Sequence, residues 1–222
     1  MKKFIDKLGV VFPYKIVRLK KGHVYENRYD YQKEYVNFNI QNGEKVLDLG
    51  SGHNPFPLAT HLVDLYAEDD AHRGGIKLVK DNRPFLIADI EDLPFKDKEF
   101  DFCYCSHVLE HANNPAKACK EIMRVSKRGY IETPTRLSDM FYNFLTHHRW
   151  HIEKISNTLI FIEYSERERK GTNSSYFFEQ QINPYQNEIK KLVYSNRDIF
   201  CNMFMWNDAF EVHVFDKNGK HL

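Results

Sequence analysis

The sequence has no long hydrophobic run and no excess of charge of one sign. Lys and Arg together number 32 and Asp and Glu number 31, so the formal net charge is +1. A balanced charge gives no electrostatic footprint for nucleic acid or an anionic membrane, and no apolar stretch is long enough to cross a bilayer. We therefore expect neither a nucleic-acid partner nor a membrane span.

The chain is also poor in cysteine, and its cysteines form no CxxC pair. They are Cys103, Cys105, Cys119 and Cys201. Buried, reduced thiols are the simplest interpretation, and they are typical of a cytoplasmic protein. Residues 1–15 contain only broken apolar runs and so lack the apolar core of a secretory signal. We expect a cytoplasmic location.

The stretch that organises the rest is 44–64, EKVLDLGSGHNPFPLATHLVD. Its two short apolar runs are typical of buried parallel strands. Between them, Gly50 and Gly52 allow the backbone to approach a ligand closely. Asp64 ends the second run, where an acid can bind both hydroxyls of a ribose. This is the layout of a nucleoside site.

Predicted strands and helices alternate along the chain. Strands are predicted at 45–49, 61–65, 85–88, 100–105 and 130–132, and helices at 25–40, 116–125 and 139–145. Later come strands at 150–155 and 158–164, a polar loop at 166–175, a helix at 184–194 and a closing hairpin of 203–206 and 210–215. The alternation predicts an α/β fold with a Rossmann-like doubly wound sheet, mostly parallel, with an antiparallel strand from the C-terminal hairpin.

We expect a length of 222 residues to form a single domain. Its parts would be a helical cap at 1–43, a cofactor-binding core at 44–135, an acceptor-side insertion at 136–200 and the closing hairpin at 201–222. Ligands of open parallel sheets bind beyond the carboxyl ends of the strands. Five polar strand ends would meet there, and they are 50–54, Asp64, Asp89, 106–110 and 133–135. Their convergence indicates a site more strongly than any single motif.

Four stretches resemble the class I S-adenosylmethionine-dependent methyltransferases of the type-11 group. They are VLDLGSG at 46–52, VDLY at 63–66, IADIEDLPFKDKEFDFCYCSHVLEH at 87–111 and EIMRVSKRGYIETP at 121–134. The third is the most specific, because it joins an acid after strand three, LPF, an acidic and aromatic entry to strand four, and HVLEH. The GxG of the first stretch is weaker evidence, since sugar and dinucleotide binders share it. The resemblance implies S-adenosyl-L-methionine as the cofactor and methyl transfer as the reaction.

The resemblance also implies cofactor contacts around the glycines. Gly50 and Gly52, with Ser51 between them, would lie under the methionine part and the ribose. Asp48 would lie near the amino group of the methionine part, and Asp64 would bind the ribose hydroxyls.

Further contacts are implied at the ends of the third and fourth strands. Asp89 would accept a hydrogen bond from the adenine amine, with the Ile90 backbone beside the ring. Ser106 and His107 would line the wall near the sulfonium.

The chain departs from the family pattern directly after the glycines. The family usually has a full helix there, whereas this chain has HNPFPLAT at 53–60. Two prolines allow only a short helix over 58–60, so the helix N-terminus that would face the methionine carboxylate is altered. His53 and Asn54 would then supply the donors. A second departure is that strand five ends in ETP rather than in a glycine-rich turn.

Methyl transfer from a sulfonium is an in-line displacement, so the protein mainly positions a nucleophile behind the methyl group. A hydroxyl nucleophile also needs a base, and histidine suits that role near neutral pH. His107, His148 and His151 are the candidates. Because His148, His151 and Glu153 show no recognised ligand spacing, we expect no metal.

The acceptor region combines aromatic and polar residues. Its aromatic residues are Tyr142, Trp150, Tyr164, Tyr176, Phe177, Phe178 and Trp206. This mixture suits a sugar or nucleotide-sugar, but equally a phenolic compound or a peptide. Our first hypothesis is O-methylation of a small polar acceptor, such as a sugar of a glycan pathway. The alternatives are an N- or C-methyltransferase of another small molecule and a non-catalytic protein that keeps the nucleoside pocket. A phosphate-binding enzyme of the same sheet type is disfavoured because GSGHNPFP supplies no GxGxxG. The oligomeric state stays open.

Overall fold

The computed structural model describes residues 28–68, 75–142, 147–170, 193 and 195–222. The strands are β1 (Val46–Leu49), β2 (His61–Asp64), β3 (Phe85–Ile87), β4 (Phe100–Ser106), β5 (Ser126–Pro134), β6 (Trp150–Ile155), β7 (Thr158–Glu163), β8 (Cys201–Asn207) and β9 (Glu211–Phe215). The helices are α1 (Arg28–Tyr35), α2 (Pro115–Val125), α3 (Arg136–Tyr142), α4 (Glu166–Arg169) and α5 (Arg197–Phe200), with a 3₁₀ turn at Leu109–His111.

The main sheet has six strands in the order β3-β2-β1-β4-β5-β8. Its strands are parallel except β8, which runs antiparallel to β5. All four residues of β1 are buried, as expected for a central strand covered on both faces. The predicted α/β, Rossmann-like, mostly parallel sheet is confirmed. The carboxyl ends of β1, β2 and β4 therefore lie side by side at one edge.

The predicted closing hairpin is wrong, because β8 and β9 belong to different sheets. β9 pairs in parallel with β7 in a three-stranded sheet of order β6-β7-β9. The link crosses between the sheets through hydrogen bonds of Asp208 N to Lys127 O (2.9 Å) and Glu211 N to Asn157 O (3.0 Å). A turn between two apolar runs shows only that the chain bends; long-range pairing decides the partner strand.

The start of the fifth strand is also corrected, because β5 begins at Ser126 rather than at 130. Lys127 and Arg128, which lie between the predicted helix and the predicted strand, form ion pairs with Asp101 and Glu44 respectively, beside the amino ends of β4 and β1. Gly129 serves close packing: a Cβ there would lie 2.3 Å from the carbonyl oxygen of Cys103.

The link after Gly52 forms turns, without the short helix expected at 58–60. Asp48 accepts a hydrogen bond from Phe56 N at 2.7 Å, and the Phe56 ring stacks on Tyr104 with the ring centres 4.1 Å apart. Burial of Phe56 and this bond from the end of β1 hold the link in place of a helix.

Helix α2 agrees closely with its prediction. Asn114 caps it by accepting from Lys117 N at 3.0 Å, and Pro115 occupies the first turn. The residues that α2 buries include Ala118, Ile122 and Val125, the predicted apolar face.

The other helices differ from their predicted ranges. α1 and α3 are shorter or shifted within the described residues, and the predicted loop at 166–175 begins with the capped helix α4. The capping box of Ser165 and Glu168 is the signal that the sequence reading missed. The predicted helix at 184–194 lies almost wholly outside the described residues. None of the described helices has the length and apolarity needed to span a bilayer.

Candidate active site

A cavity of about 600 Å³ opens at the carboxyl ends of β1, β2 and β4. Its volume falls in the range of small-molecule and cofactor sites. Ten of the residues predicted to contact a cofactor line it: Gly50, Ser51, Gly52, His53, Asn54, Asp64, Asp89, Ile90, Ser106 and His107. The strand ends that the sequence separates are thus brought to one place.

The glycine turn forms the floor of this cavity. Gly50 has a φ of 70° and Gly52 a φ of 53°, both in the left-handed region. The N–H groups of Gly50 and Ser51 donate to Val63 O at 2.8 and 3.0 Å. A Cβ at Gly50 would lie 2.3 Å from Val108 Cγ2, so any larger residue at this position would collide with Val108.

Asp64 is held rigidly at the end of β2. Its carboxylate accepts from Gly52 N and from Tyr66 N, each at 2.9 Å. Both oxygens are therefore fixed by backbone donors, and a carboxylate oxygen can accept more than one hydrogen bond. Asp64 is 7% exposed, so its charge faces the cavity with little competition from water.

Asp89 is the corresponding acid after β3. Its Oδ1 accepts from Glu91 N at 2.9 Å, which fixes the turn that carries the half-buried Ile90. The side chain and the neighbouring backbone therefore both border the cavity on this side.

Asp48 is the predicted cofactor residue that does not line the cavity. It is 1% exposed and lies beneath the floor, bonded to Phe56 N. Burial raises the pKa of its carboxyl group to about 7. The structure therefore gives Asp48 a role in holding the link after Gly52.

His107 adopts an unusual backbone conformation, with a φ of 58°. Its Nε2 lies 3.1 Å from Glu132 Oε1 and its Nδ1 lies 3.4 Å from Glu110 Oε1. Burial lowers its pKa, but contacts with Cys201, Glu110 and Glu132 raise that pKa well above the ordinary value. An imidazolium whose two nitrogens face carboxylates has no lone pair to accept a proton. His107 is therefore not placed to act as a base, contrary to our expectation.

Glu132, the polar end of β5, ties several elements together. It accepts hydrogen bonds from Tyr31 OH, from Gln32 Nε2 at 3.0 Å and from Tyr130 OH at 2.5 Å, besides its contact with His107. Burial opposes its ionisation, but these partners lower its pKa to about 2. The ETP ending thus replaces a glycine-rich turn with an anchor for α1 at the cavity rim.

Arg28 is a cavity residue that the sequence reading missed. It begins α1, lines the cavity and donates from Nη1 to Ser106 O at 3.3 Å. Burial lowers its pKa, but nearby Tyr104, Tyr31 and the carboxylates raise it above the ordinary value. No motif marks this arginine, because packing of α1 across the strand ends is what places it there.

The remaining wall of the cavity is polar and charged. It includes His111, Asn113, His147, Arg149, Glu163 and Arg169. Arg149 and Glu163 form an ion pair at 3.0 Å. Trp150, Tyr164 and Trp206, expected near the acceptor, are buried in the interior and do not line the cavity. Tyr176, Phe177 and Phe178 lie outside the described residues.

His148 and His151, the other predicted bases, are both buried and lie behind this wall. His148 Nδ1 is 2.7 Å from Asp139 Oδ1, and Tyr164 OH donates to Asp139 Oδ2 at 2.8 Å. The His148 ring packs edge-on against the ring of cavity-lining His111 at 4.8 Å. His151 Nε2 instead faces Glu153 Oε1 at 2.6 Å. Of the two, His148 is in contact with a cavity residue.

Residues 47–131 match the family of type-11 methyltransferases, described as "Methyltransferase domain". An uncharacterized protein of Methanocaldococcus jannaschii is 42% identical over 88 residues, which are 37% of this chain and 40% of that protein. A demethylmenaquinone methyltransferase of Paenarthrobacter aurescens is 39% identical over 95 residues, 40% of this chain and 37% of that protein. The matches therefore span about two fifths of each relative's length.

A solved structure shares the fold over most of the chain. It is a chain from the "Complex between the Haloferax volcanii Trm112 methyltransferase activator and the putative methyltransferase", with a TM-score of 0.50 and 13% identity. The alignment covers 82% of this chain and 91% of that chain. Residues 47–131 thus match the methyltransferase domain of the type-11 group, and they lie in a mostly parallel, Rossmann-like sheet. The cofactor that this match supports is S-adenosyl-L-methionine.

Proposed function

We propose that the protein transfers a methyl group from S-adenosylmethionine to a small polar acceptor. The observation that carries the proposal is the convergence of the Gly50–Gly52 turn, Asp64, Asp89 and His107 on one cavity of about 600 Å³. Such a constellation at the carboxyl edge of a parallel sheet suits a nucleoside ligand.

The residues present fit this cofactor. Asp64 would accept from the ribose hydroxyls and Asp89 from the adenine amine, with Ile90 beside the ring. The floor at Gly50 has no room for a Cβ, which leaves the space above the turn to the ribose and the methionine part. Ser106 and His107 would form the wall near the sulfonium.

Arg28 offers a charge partner for the methionine carboxylate. The turns at 53–60 provide no helix N-terminus, so the dipole that would favour an anion there is absent. A guanidinium pairs well with a carboxylate, and Arg28 borders the cavity beside Ser106. His53 and Asn54 border it as further donors.

The acceptor side supports O-methylation of a hydroxylated, polar molecule such as a sugar or nucleotide-sugar. Arginine, histidine and asparagine side chains line that wall, and such donors suit hydroxyl or phosphate groups. Among the predicted bases, the geometry favours His148, since Asp139 orients its ring as the acid of a catalytic triad orients its histidine. A proton from the acceptor would reach it through His111.

A second candidate is C-methylation of a quinone-like acceptor. It is favoured by the 39% identity to a demethylmenaquinone methyltransferase. That match covers only 40% of this chain, and the charged wall of the cavity is a poor surface for a large apolar tail. We rank it second for this reason.

The first test is calorimetric titration with S-adenosylmethionine and S-adenosylhomocysteine. We expect binding by the wild-type protein and a loss of at least tenfold in affinity in Asp64→Asn, because the ribose then loses a charged acceptor. Asp208→Asn is the matched control, because this exposed acid has a positive φ that asparagine tolerates. The affinity of this variant for both ligands should be unchanged. Folded wild-type protein that binds neither ligand would refute the proposal.

The acceptor is then tested by transfer of a radiolabelled methyl group. Sugars and sugar nucleotides form one panel, and demethylated quinols form the other. Product only in the first panel supports O-methylation of a polar acceptor. Product only in the second would replace that acceptor with the quinone class and leave the methyl-transfer proposal intact.

A further inference from the structure

A cluster of potential metal ligands lies on the acceptor side of the cavity. It consists of Glu110, His111 and His148, whose nearest ligand atoms all lie within 4.8 Å of one another. His111 lines the cavity, whereas Glu110 and His148 lie behind it. The 3₁₀ turn after β4 supplies the first two residues, and the chain returns 37 positions later with the third.

Glu110 is the first reason to look for a cation here. The residue is fully buried, and neither carboxylate oxygen forms a hydrogen bond with the described residues. Its contact with His107 Nδ1 is long, at 3.4 Å, and His107 also faces Glu132. A buried carboxylate whose partner is one long contact is only partly compensated for its lost hydration, and a cation bound at its second oxygen would complete that compensation.

His148 is the second reason, because its ring is oriented as in many metal sites. The bond to Asp139 Oδ1 at 2.7 Å assigns the proton to Nδ1, so Nε2 is the ligating nitrogen of this tautomer. Tyr164 in turn holds the other oxygen of Asp139. Carboxylates that fix the tautomer of a histidine in this way are the usual support of a metal ligand.

A neighbouring cluster of potential metal ligands shows the contrast. His107, Glu132 and Cys201 also lie close enough to share an ion. There, however, Glu132 accepts from tyrosine and glutamine donors, and both nitrogens of His107 face carboxylates. That cluster is satisfied internally, so its geometry has no need of a metal.

We propose that Glu110, His111 and His148 bind one divalent transition-metal ion at the acceptor side of the cavity. Two imidazoles and a carboxylate are ligands that suit Zn²⁺ and similar ions. Ligand atoms around one Zn²⁺ ion lie about 3.5 Å apart, given bonds of about 2.1 Å. The three side chains would therefore move together by about 1 Å, and His111 is the exposed member of the three.

Such an ion would give the proposed transferase a way to activate its acceptor. This step rests on the proposed function. A hydroxyl oxygen bound to the ion would lose its proton more readily, since a divalent cation lowers the pKa of a bound oxygen. With the ion present, His148 would act as a ligand rather than as a base, and the proton of the acceptor would pass to solvent water. The acceptor oxygen would then bond to the methyl carbon as the bond from that carbon to sulfur breaks and S-adenosylhomocysteine leaves.

The test is titration of metal-free protein with Zn²⁺ against a competing chelator, with Co²⁺ absorption as an optical probe of the ligands. All proteins carry His221→Asn, because exposed His213 and His221 lie 3.2 Å apart and form a competing pair. We expect one Zn²⁺ per chain, a loss of at least tenfold in affinity in Glu110→Gln and in His111→Asn, and a 10- to 100-fold loss in Asp139→Asn.

His111→Asn decides the test if the buried variants fail to fold, because His111 is exposed. Equal Zn²⁺ affinity in folded His111→Asn, or no Zn²⁺ bound in the His221→Asn protein, would overturn the proposal. Cofactor titration of the same metal-free protein tests the proposed function separately, so a failure of one is distinguishable from a failure of the other.

Discussion

Asp48 shows how one buried carboxyl group can set the pH dependence of stability. It accepts a hydrogen bond from Phe56 N beneath the cavity floor, and burial raises its pKa from 3.8 to about 7. Between these values the unfolded chain loses the proton while the folded protein keeps it. The free energy of unfolding therefore falls as the pH rises from about 4 to 7.

Asp48→Asn should remove this dependence, because asparagine has no proton to lose and can still accept from Phe56 N. We expect the variant to gain on the order of 2 kcal/mol relative to wild type between pH 5 and pH 8, at ~1.4 kcal/mol per pKa unit. Urea denaturation at both pH values measures the difference. The exposed Asp208→Asn serves as control and should show none. An equal effect of Asp48→Asn at both pH values would show that Asp48 is already ionised in the folded protein.

Among the structural elements, the turn from β1 into the cavity floor has the tightest constraint. Gly50 combines a φ of 70° with a Cβ position 2.3 Å from Val108 Cγ2. Gly219 provides a comparison, since its φ of 80° is similar and its Cβ position has no atom within 4 Å. Comparing substitutions at these two glycines separates the cost of backbone strain from the cost of close packing.

We predict that Gly219→Ala costs about 1–2 kcal/mol from the left-handed backbone alone. Gly50→Ala should cost about 1–3 kcal/mol more, because the added carbon must displace Val108. It should also weaken S-adenosylmethionine binding, which Gly219→Ala leaves unchanged. Chemical denaturation and calorimetry measure the two effects. Equal destabilisation by both substitutions would mean that Val108 moves aside freely.

At the scale of the whole molecule, the two sheets share one apolar core. Trp150 of β6 and Trp206 of β8 both pack in a cluster that includes Leu47 of β1. Trp150 also donates to Ala112 O, directly after the 3₁₀ turn, at 2.6 Å. This continuity leads us to expect that the described strands unfold together.

The two tryptophans of the chain report on the two sheets separately. In Trp206→Phe the fluorescence follows the small sheet, and in Trp150→Phe it follows the main sheet. We predict that, within each variant, the urea midpoint from fluorescence equals the midpoint from circular dichroism. A fluorescence midpoint that differs from the circular dichroism midpoint in either variant would show that the sheets unfold independently.

Much of the main sheet was predictable from the sequence. The first four strands and α2 lie within one or two residues of their predicted positions, because short apolar runs, glycines and an Asn-Pro cap are local signals. The polar strand ends were predictable for the same reason: they directly follow those runs. The first residues of β5, Ser126–Gly129, were not predicted as strand. Lys127 and Arg128 form ion pairs with Asp101 and Glu44, which lie beside them only in the folded sheet.

The sequence by itself determined the alternating strands and helices, the glycine turn and the acids that end the strands. Tertiary structure decided where Arg28 lies, which sheet receives β9, and that His148 stands beside Glu110 and His111. The physical reason is how far apart along the chain the interacting residues lie. A turn or a strand end depends on a few neighbouring residues, whereas these contacts join positions far apart in the chain and exist only after the core has packed.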